Sequence, residues 1–197
     1  MSEGGKWGVA TGNDGALRCW WCLGAPEYVD YHDGEWGRPA HADNELFELL
    51  TLESFQSGLS WLTILRKREG FRSAFSGFEI ERVADFDETD VDRLLGDAGI
   101  VRHRGKIEAA INNARAARRL PEENRSLNAL LWSFAPPEPD PPPVDGHALA
   151  ASTPASTAMA KELRRLGFRF FGPTTAYSLM QAAGIVNDHL ADCAFRG

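Results

Sequence analysis

Residues 46–61 read LFELLTLESFQSGLSW, and the rest of the chain can be interpreted outward from this stretch. Three leucines and a carboxylic acid follow the spacing of one helical face: Leu46, Leu49, Leu50 and Glu53. Glu53 is either capped at the edge of this face or directed into an apolar pocket as a hydrogen-bond acceptor for a ligand. Spacing alone favours the first alternative, because most glutamates on helices are structural. Gly58, which permits close backbone approach, and Trp61, which offers a flat aromatic face, would suit the second.

The composition indicates a soluble globular protein, since 43% of the 197 residues are apolar and 25% are charged. A chain of this length fits one domain or two small lobes and needs no staples to fold. Neither a transmembrane run nor a signal peptide is present, so we expect a cytoplasmic protein without a membrane partner. The net charge of −7 argues weakly against nucleic acid, although a local basic patch matters more than the sum.

The chain is predicted to be mostly or wholly α-helical, because no stretch shows strand alternation of any length. Residues 1–16 are glycine-rich and polar and are expected to form a disordered leader. Residues 17–197 are expected to form a single domain of two helical lobes, with a proline-rich crossover at 136–145. Asp43 and Ser60 are predicted N-caps of two helices in the opening stretch.

A basic segment, GIVRHRGKI, occupies residues 99–107 of this acidic chain. Its glycines frame a short turn between two predicted helices, and its cationic residues are Arg102, Arg104 and Lys106. Such a charge run is usually a solvated helix face. At the start of a helix, however, free N–H groups and the helix dipole also suit a phosphate.

Histidine and cysteine residues near both ends of the chain indicate a tetrahedral zinc site. His189 and Cys193 are four residues apart and are expected to share one face of a last helix that Asn187 caps. The other two ligands are either Cys19 and Cys22, which form a C-x2-C pair, or Cys19 and His32. Unrelated core residues are the remaining alternative. Four protein ligands would leave no position for substrate, so the metal would be structural and would join the N- and C-terminal segments.

Five motifs together resemble the 3-methyladenine DNA glycosylase I family. They are RCxW at 18–21, YxxYHDxEWG at 28–37, LExxQxGLSW at 52–61, AGIVRHRGKI at 98–107 and NDHxxxC at 187–193. The resemblance covers residues 18–193 and is specific, because the motifs are long and keep their order. It implies an all-α helix-hairpin-helix DNA glycosylase fold with a structural zinc ion. It also implies an enzyme, expected to be a monomer in the cytoplasm near the nucleoid, that excises N3-methyladenine from double-stranded alkylated DNA.

The resemblance also assigns roles to single residues. The implied zinc ligands are Cys19, His32, His189 and Cys193, which leaves Cys22 as an extra cysteine. Glu53 corresponds to the carboxylate that recognises the base and is the catalytic candidate, within an aromatic pocket of Trp21, Tyr28, Tyr31 and Trp61. DNA contacts are implied for Gly58 and Leu59, which probe the gap left by the flipped base, and for the hairpin residues Arg102, Arg104, Gly105 and Lys106. Trp20 is interpreted as a local addition.

These residue types suit the implied chemistry. A methylated adenine is cationic, so aromatic faces hold it by stacking with a cation–π component, and its charge already activates it as a leaving group. Asp140 and Asp145 lie in or beside the proline-rich crossover, a poor place for a catalytic group, and no lysine stands where a Schiff base is expected. We therefore expect a monofunctional hydrolase. The competing hypotheses are a non-catalytic module that binds damaged DNA and a zinc-tethered interaction domain without a DNA role.

Overall fold

The computed structural model describes residues 7–123 and 125–197, and most of them lie in helices. In chain order the helices are α1 (Pro26–Gly34), α2 (Asp43–Gln56), α3 (Trp61–Ala74), α4 (Ile80–Ala84), α5 (Glu88–Gly96), α6 (Arg104–Arg118), α7 (Leu127–Trp132), α8 (Pro154–Arg165) and α9 (Pro173–Ala182). A small antiparallel hairpin precedes them, formed by β1 (Val9–Thr11) and β2 (Leu17–Cys19). No helix in the described ranges is long and apolar enough to cross a membrane.

The hairpin shows that the chain is mostly rather than wholly α-helical, and its first strand lies within residues 7–16 of the expected disordered leader. Its turn is built locally, because Gly15 adopts a φ of +83° and the Asp14 carboxylate accepts the N–H of Ala16. Its second strand, β2, is bonded to the C-terminal segment, where the Ala194 N–H donates to the Leu17 carbonyl. Strands of three residues are too short to show alternation, which is why the sequence pattern missed them. Residues 1–6 of the expected leader lie outside the described residues.

Helix α2 is the centre of the fold. Residues on every side of it are buried, including Phe47, Leu52 and Phe55 beside the predicted leucine face, and it contacts α3, α6, α7 and α9. The Ser60 side chain accepts the Thr63 N–H and caps α3, as predicted. The predicted cap of α2 is wrong, because Asp43 lies inside its first turn. The Asp43 carboxylate instead accepts the N–H groups of Leu127 and Asn128, at the positive end of the α7 dipole.

Helices α5 and α6 flank a turn at residues 97–103 and pack beside each other. The His103 imidazole caps α6 by accepting the Lys106 N–H. A side chain at Gly70 on α3 would overlap the backbone of Gly99, so glycine at position 70 permits close contact between α3 and the turn. This contact fixes the turn against the helix that follows Gly58 and Leu59.

The C-terminal segment departs from the sequence prediction. No helix forms at residues 187–193, because the Asn187 side chain closes a local turn with the His189 N–H instead of starting a helix. Gly184, at a φ of +66°, lies against the backbone of Arg38 and Pro39 and sends the chain back towards the N-terminal segment. The segment is also tied to the crossover, since the Ala191 N–H donates to the Pro143 carbonyl.

Candidate active site and metal centre

The two ends of the chain meet in a buried cluster of two cysteines and two histidines. Cys19, His32, His189 and Cys193 place one potential ligand atom each within 4.8 Å of one another. The Cys193 Sγ lies 3.5 Å from His32 Nε2 and 3.4 Å from His189 Nδ1, and Cys19 Sγ lies 4.0 Å from the same Nδ1. The edges of a zinc tetrahedron with sulfur and nitrogen ligands are roughly 3.3–3.8 Å, so these spacings suit such an ion.

Hydrogen bonds outside the cluster orient both imidazoles towards its centre. The Nδ1 of His32 lies 2.7 Å from the Asp33 carboxylate, and the Nε2 of His189 lies 3.0 Å from the Trp36 carbonyl. Since these nitrogens donate, the other nitrogen of each ring is left as a lone-pair donor facing the thiols, an arrangement typical of metal-binding histidines. Asp33 is in turn held by the buried guanidinium of Arg18. This outer pair was not predicted, although Arg18 stands in the RCxW motif.

Cys22 lies outside the cluster. Its buried thiol donates to the Cys19 carbonyl at 3.2 Å, and it is not among the four converging side chains. The alternative C-x2-C pair is therefore not the arrangement in this fold. Hydrogen bonding to the Cys19 thiol, and then to His189 and His32, lowers the pKa of the Cys193 thiol, whereas hydrogen bonding to Cys193 and burial raise the pKa of the Cys19 thiol, so the pair favours one thiolate, at Cys193.

An aromatic pocket of about 260 Å³ lies beside this cluster. Its lining includes all five residues that the family resemblance placed there: Trp21, Tyr28, Tyr31, Glu53 and Trp61. The rings of Tyr31 and Trp61 are 5.4 Å apart, and those of Trp21 and Tyr28 are 5.7 Å apart. Trp21 also contacts His32 and Trp36, with ring centroids 5.3 and 5.0 Å away, so one side chain links the pocket to the metal-type cluster.

Glu53 is the acidic residue of the pocket. It is 5% exposed, and its Oε2 atom is buried without a hydrogen-bond partner, as is the Nε1 atom of Trp61. Burial raises the pKa of the Glu53 carboxyl to about 8. Burial, followed by the nearby Glu53, likewise raises the pKa of Tyr31. A capped glutamate at the edge of a helix face would have a partner, so the structure favours the pocket alternative for Glu53.

The sequence interpretation missed part of the pocket. Trp20, which it treated as a local addition, lines the pocket and is held by the edge of the Trp7 ring at 5.5 Å. The other side chains that it missed are Trp36, Gln56, Leu149, Ser178 and Gln181. Gln181 could have been suspected only from long-range contacts, since its side chain is oriented by Asp188 of the NDH motif at 2.7 Å.

The residues with implied DNA contacts lie in two segments: the loop of Gly58 and Leu59 after α2, and the basic segment at residues 99–107 that leads into α6. Leu59 is 42% exposed, and the preceding Gly58 adopts a φ of +80° that presents it at the surface. Arg102 is exposed without an ion pair in the described part of the chain, whereas exposed Arg104 pairs with Glu88 and Asp92.

The structure contradicts the phosphate contact expected of Lys106. Its side chain is 7% exposed, and its Nζ donates to the carbonyls of Phe55 and Ser57 at 2.9 and 2.5 Å. These carbonyls end α2 and accept the ammonium because helix C-termini attract cations. Lys106 therefore braces the loop that carries Gly58 against the start of α6, and burial lowers its pKa.

Comparison with known proteins agrees with this geometry. DNA-3-methyladenine glycosylase 1 of Escherichia coli (strain K12) is 45% identical over 177 residues, which cover 89% of this chain and 95% of that protein. A crystal structure of a 3-methyladenine DNA glycosylase I superposes with a TM-score of 0.87 at 46% identity, covering 90% of this chain and 98% of the other. The Staphylococcus aureus enzyme, solved for the structural basis of 3-methyladenine recognition, gives 0.85 at 39% identity and covers 88% and 93%.

A sequence model of the methyladenine glycosylase family matches residues 21–197, which include all of the pocket lining except Trp20 and three of the four side chains of the cluster. The match covers far more than half of the chain. The chain therefore belongs to the methyladenine glycosylase family.

Proposed function

We propose that this chain is a monofunctional DNA-3-methyladenine glycosylase, which flips N3-methyladenine out of alkylated duplex DNA and hydrolyses its N-glycosidic bond. The observation that carries the proposal is the unpartnered Glu53 Oε2 in a pocket walled by aromatic rings. A buried polar atom without a partner is costly unless a ligand completes it. The activity that the relatives are named for supports the same assignment.

The pocket suits a flat cation with hydrogen-bond donors on its edge. The faces of Trp21, Tyr31 and Trp61 would hold the charged ring by stacking and cation–π attraction. Glu53 would accept from the exocyclic amine, which distinguishes adenine from guanine because guanine places a carbonyl there. Binding of a cation lowers the pKa of a neighbouring carboxyl, so Glu53 would lose its proton as the base enters.

The reaction needs little acid catalysis. Water adds to C1′ of the deoxyribose, the bond from C1′ to N9 breaks, and its electron pair neutralises the methylated ring, which leaves as the free base. The proton of the water passes to solvent. A lyase step would require an amine in the pocket, and no lysine lines it within the described ranges. Lys106 is held away by the two carbonyls at the end of α2.

The Cys/His cluster fits a structural zinc ion. Its two thiols and two imidazoles are the donor set that zinc prefers, and the hydrogen bonds that the imidazoles donate to the Asp33 carboxylate and the Trp36 carbonyl already fix their orientation. Zinc there would supply a cross-link between the chain ends and no reactive group, because four protein ligands complete its coordination. Trp21 would transmit that order to the pocket through its contact with His32.

The turn at residues 97–103 and the start of α6 are proposed as a helix-hairpin-helix element that binds the phosphate backbone, with Leu59 as the apolar wedge. Arg102 and the free N–H groups of the turn would make the phosphate contacts. Duplex DNA in the cytoplasm would be the partner, and a single domain of residues 17–197, acting as a monomer, would suffice.

Mass spectrometry of the bases released from methylated duplex DNA tests the function. The wild-type chain should release 3-methyladenine and leave the DNA backbone intact until alkaline treatment, and borohydride should trap no covalent complex. Glu53→Ala, compared at equal folded concentration, should release much less. Binding to methylated DNA without any released base would replace this proposal with the non-catalytic damage-binding module.

A further inference from the structure

Phe170 is an exposed aromatic residue in a backbone conformation that disfavours it. Its side chain is 46% exposed, and its φ is +60°, in the left-handed region that residues with a Cβ rarely adopt. Its neighbours Phe168 and Phe171 are buried in the core, so the segment 168–172, here called the FRFFG loop, turns one ring of three outward. Strained conformations of this kind persist only where the surrounding structure imposes them, and they concentrate at functional sites.

Helix α6 imposes the conformation. The buried Asn113 amide accepts the Arg169 N–H at 2.7 Å and donates to the Arg169 carbonyl at 3.0 Å. One side chain therefore binds both backbone polar groups of the residue before Phe170. Asn112 donates to the Gly167 carbonyl at 2.7 Å. The helix that begins at the proposed hairpin therefore also dictates where the Phe170 ring is displayed.

The displayed ring lies against the proposed hairpin. It meets His103, the cap of α6, with ring centroids 6.1 Å apart, and a Cβ built on Gly105 would lie 3.7 Å from it. Lys106 also connects the start of α6 to the carbonyl of Ser57, next to the loop of Gly58 and Leu59. Five large apolar side chains are exposed among the described residues, and two of them, Leu59 and Phe170, belong to segments that contact the start of α6.

Arginines without ion pairs among the described residues lie beside the exposed Phe170 ring. A groove of about 420 Å³ beside Phe170 is lined by Arg164 and Arg169, both exposed. Neither of these arginines, nor the exposed Arg102, forms an ion pair within residues 7–123 and 125–197, whereas Arg104 and Arg118 are paired with acids. Unpaired arginines that gather around an exposed ring, in a chain of net charge −7, complement a polyanion.

We propose that the FRFFG loop extends the DNA-binding surface beyond the hairpin, with Phe170 packed against a deoxyribose and with Arg169 and Arg164 on the adjoining phosphates. This inference rests on the proposed function, because the partner is the same duplex. It adds an apolar contact that reads no base and holds the duplex beside the hairpin, in addition to the contact proposed for Leu59. The strain at Phe170 is retained because the relaxed conformation would withdraw the ring.

The test is binding of undamaged duplex to the full chain, followed by fluorescence anisotropy across a salt series. Phe170→Ala should weaken binding about fivefold at every salt concentration, as expected for an apolar contact made by the exposed half of a phenylalanine. The salt slope should stay unchanged. Arg169→Ala should instead reduce the slope by about one unit, because it loses a phosphate contact. The matched controls are Leu17→Ala, which trims a side chain of 40% exposure, and Arg82→Ala on α4; both should bind like the wild type.

Phe170→Gly separates function from structure. Glycine accepts the left-handed conformation without strain, so this variant should melt at the wild-type temperature or above it while losing DNA binding as Phe170→Ala does. Affinity for free 3-methyladenine, followed by tryptophan fluorescence, should not change. Wild-type duplex binding by both variants would overturn the inference, and so would a lowered melting temperature with normal binding per folded molecule.

Duplex binding is measured without excision, so the two proposals fail separately. Binding that depends on Phe170 in a chain that releases no 3-methyladenine would refute the proposed function and keep this surface. Normal base release with duplex binding indifferent to Phe170 would refute this surface alone.

Discussion

The Cys/His cluster and the aromatic pocket are two buried polar sites joined by Trp21, and they differ in how their polar atoms are satisfied. In the cluster, the potential ligand atoms face one another, and both histidines have outer partners in Asp33 and Trp36. In the pocket, Glu53 Oε2 and Trp61 Nε1 have none. Unpaired buried atoms cost stability. The difference indicates that the cluster serves the fold, whereas the pocket keeps its polar atoms for a ligand.

The largest expected effect is on the cluster. Removing the metal with a chelator, or replacing His189 by Ala, should lower the melting temperature by roughly 10 °C or more, because a ligand is lost and both chain ends are released. Metal analysis should find one zinc per wild-type chain. Base excision should fall as well, since Trp21 would lose its support from His32. A metal-free chain with unchanged melting would refute a structural role for the cluster.

In the pocket we expect a loss of excision without a loss of thermal stability. Glu53→Ala removes the acceptor for the exocyclic amine, which costs about 1–3 kcal/mol, or a factor of roughly 5 to 150 in excision. Its melting temperature should be unchanged or higher, because an unpaired buried carboxyl is lost. Single-turnover excision and thermal melts of the same preparation test both halves. Wild-type excision in this variant would return Glu53 to a structural role.

The pH dependence sharpens the assignment of Glu53. Because its folded pKa of about 8 exceeds the unfolded value, Glu53 contributes stability below about pH 4.5 that is lost as the pH rises to about 8. Glu53→Gln should therefore gain stability over the wild type across this window and keep a constant advantage above it. Excision by the wild type should rise through the same window if the ionised carboxylate accepts from the base. A rate that falls there would assign the neutral, proton-donating form.

What the sequence could predict depends on whether the position of a side chain is determined by neighbouring or by distant residues. Local signals predicted the α2 face and the Ser60 cap, whereas the choice of His32 over Cys22 and the aromatic residues of the pocket came from the family resemblance. Both failed where orientation depends on distant residues: Lys106 was expected at a phosphate, but a charge in a motif does not show that its side chain turns inward to Phe55 and Ser57. His189 and Cys193 converge without the expected helix, because a turn brings them together equally well.

A smaller effect is expected where the N-terminal hairpin supports the pocket. A Cβ at Gly146 would overlap the Trp20 ring, and Trp7, whose carbonyl accepts the Gly146 N–H, also contacts that ring, so Gly146→Ala should push Trp20 towards the pocket. We expect a loss of about 1 kcal/mol in base binding, roughly fivefold, of the size that overpacking causes. The measurement is titration with free 3-methyladenine. The control is Gly24→Ala, where an added Cβ meets no atom. Equal affinity in both variants would return Trp20 to the role of a local addition.

The smallest effect on stability is expected for Cys22→Ser, and this variant tests whether Cys22 is one of the metal ligands. The Cys22 thiol is fully buried and donates to the Cys19 carbonyl, and a serine hydroxyl can make the same bond. The cost in stability should be about 1 kcal/mol, arising from the smaller atom and the more polar group in an apolar site. Zinc content should stay at one per chain, whereas His32→Ala, a change at an equally buried residue, should lose it. Metal analysis of the two variants in parallel makes the comparison. Zinc lost from Cys22→Ser and kept in His32→Ala would replace His32 by Cys22 among the ligands, and the hydrogen bond from His32 to Asp33 would then be purely structural.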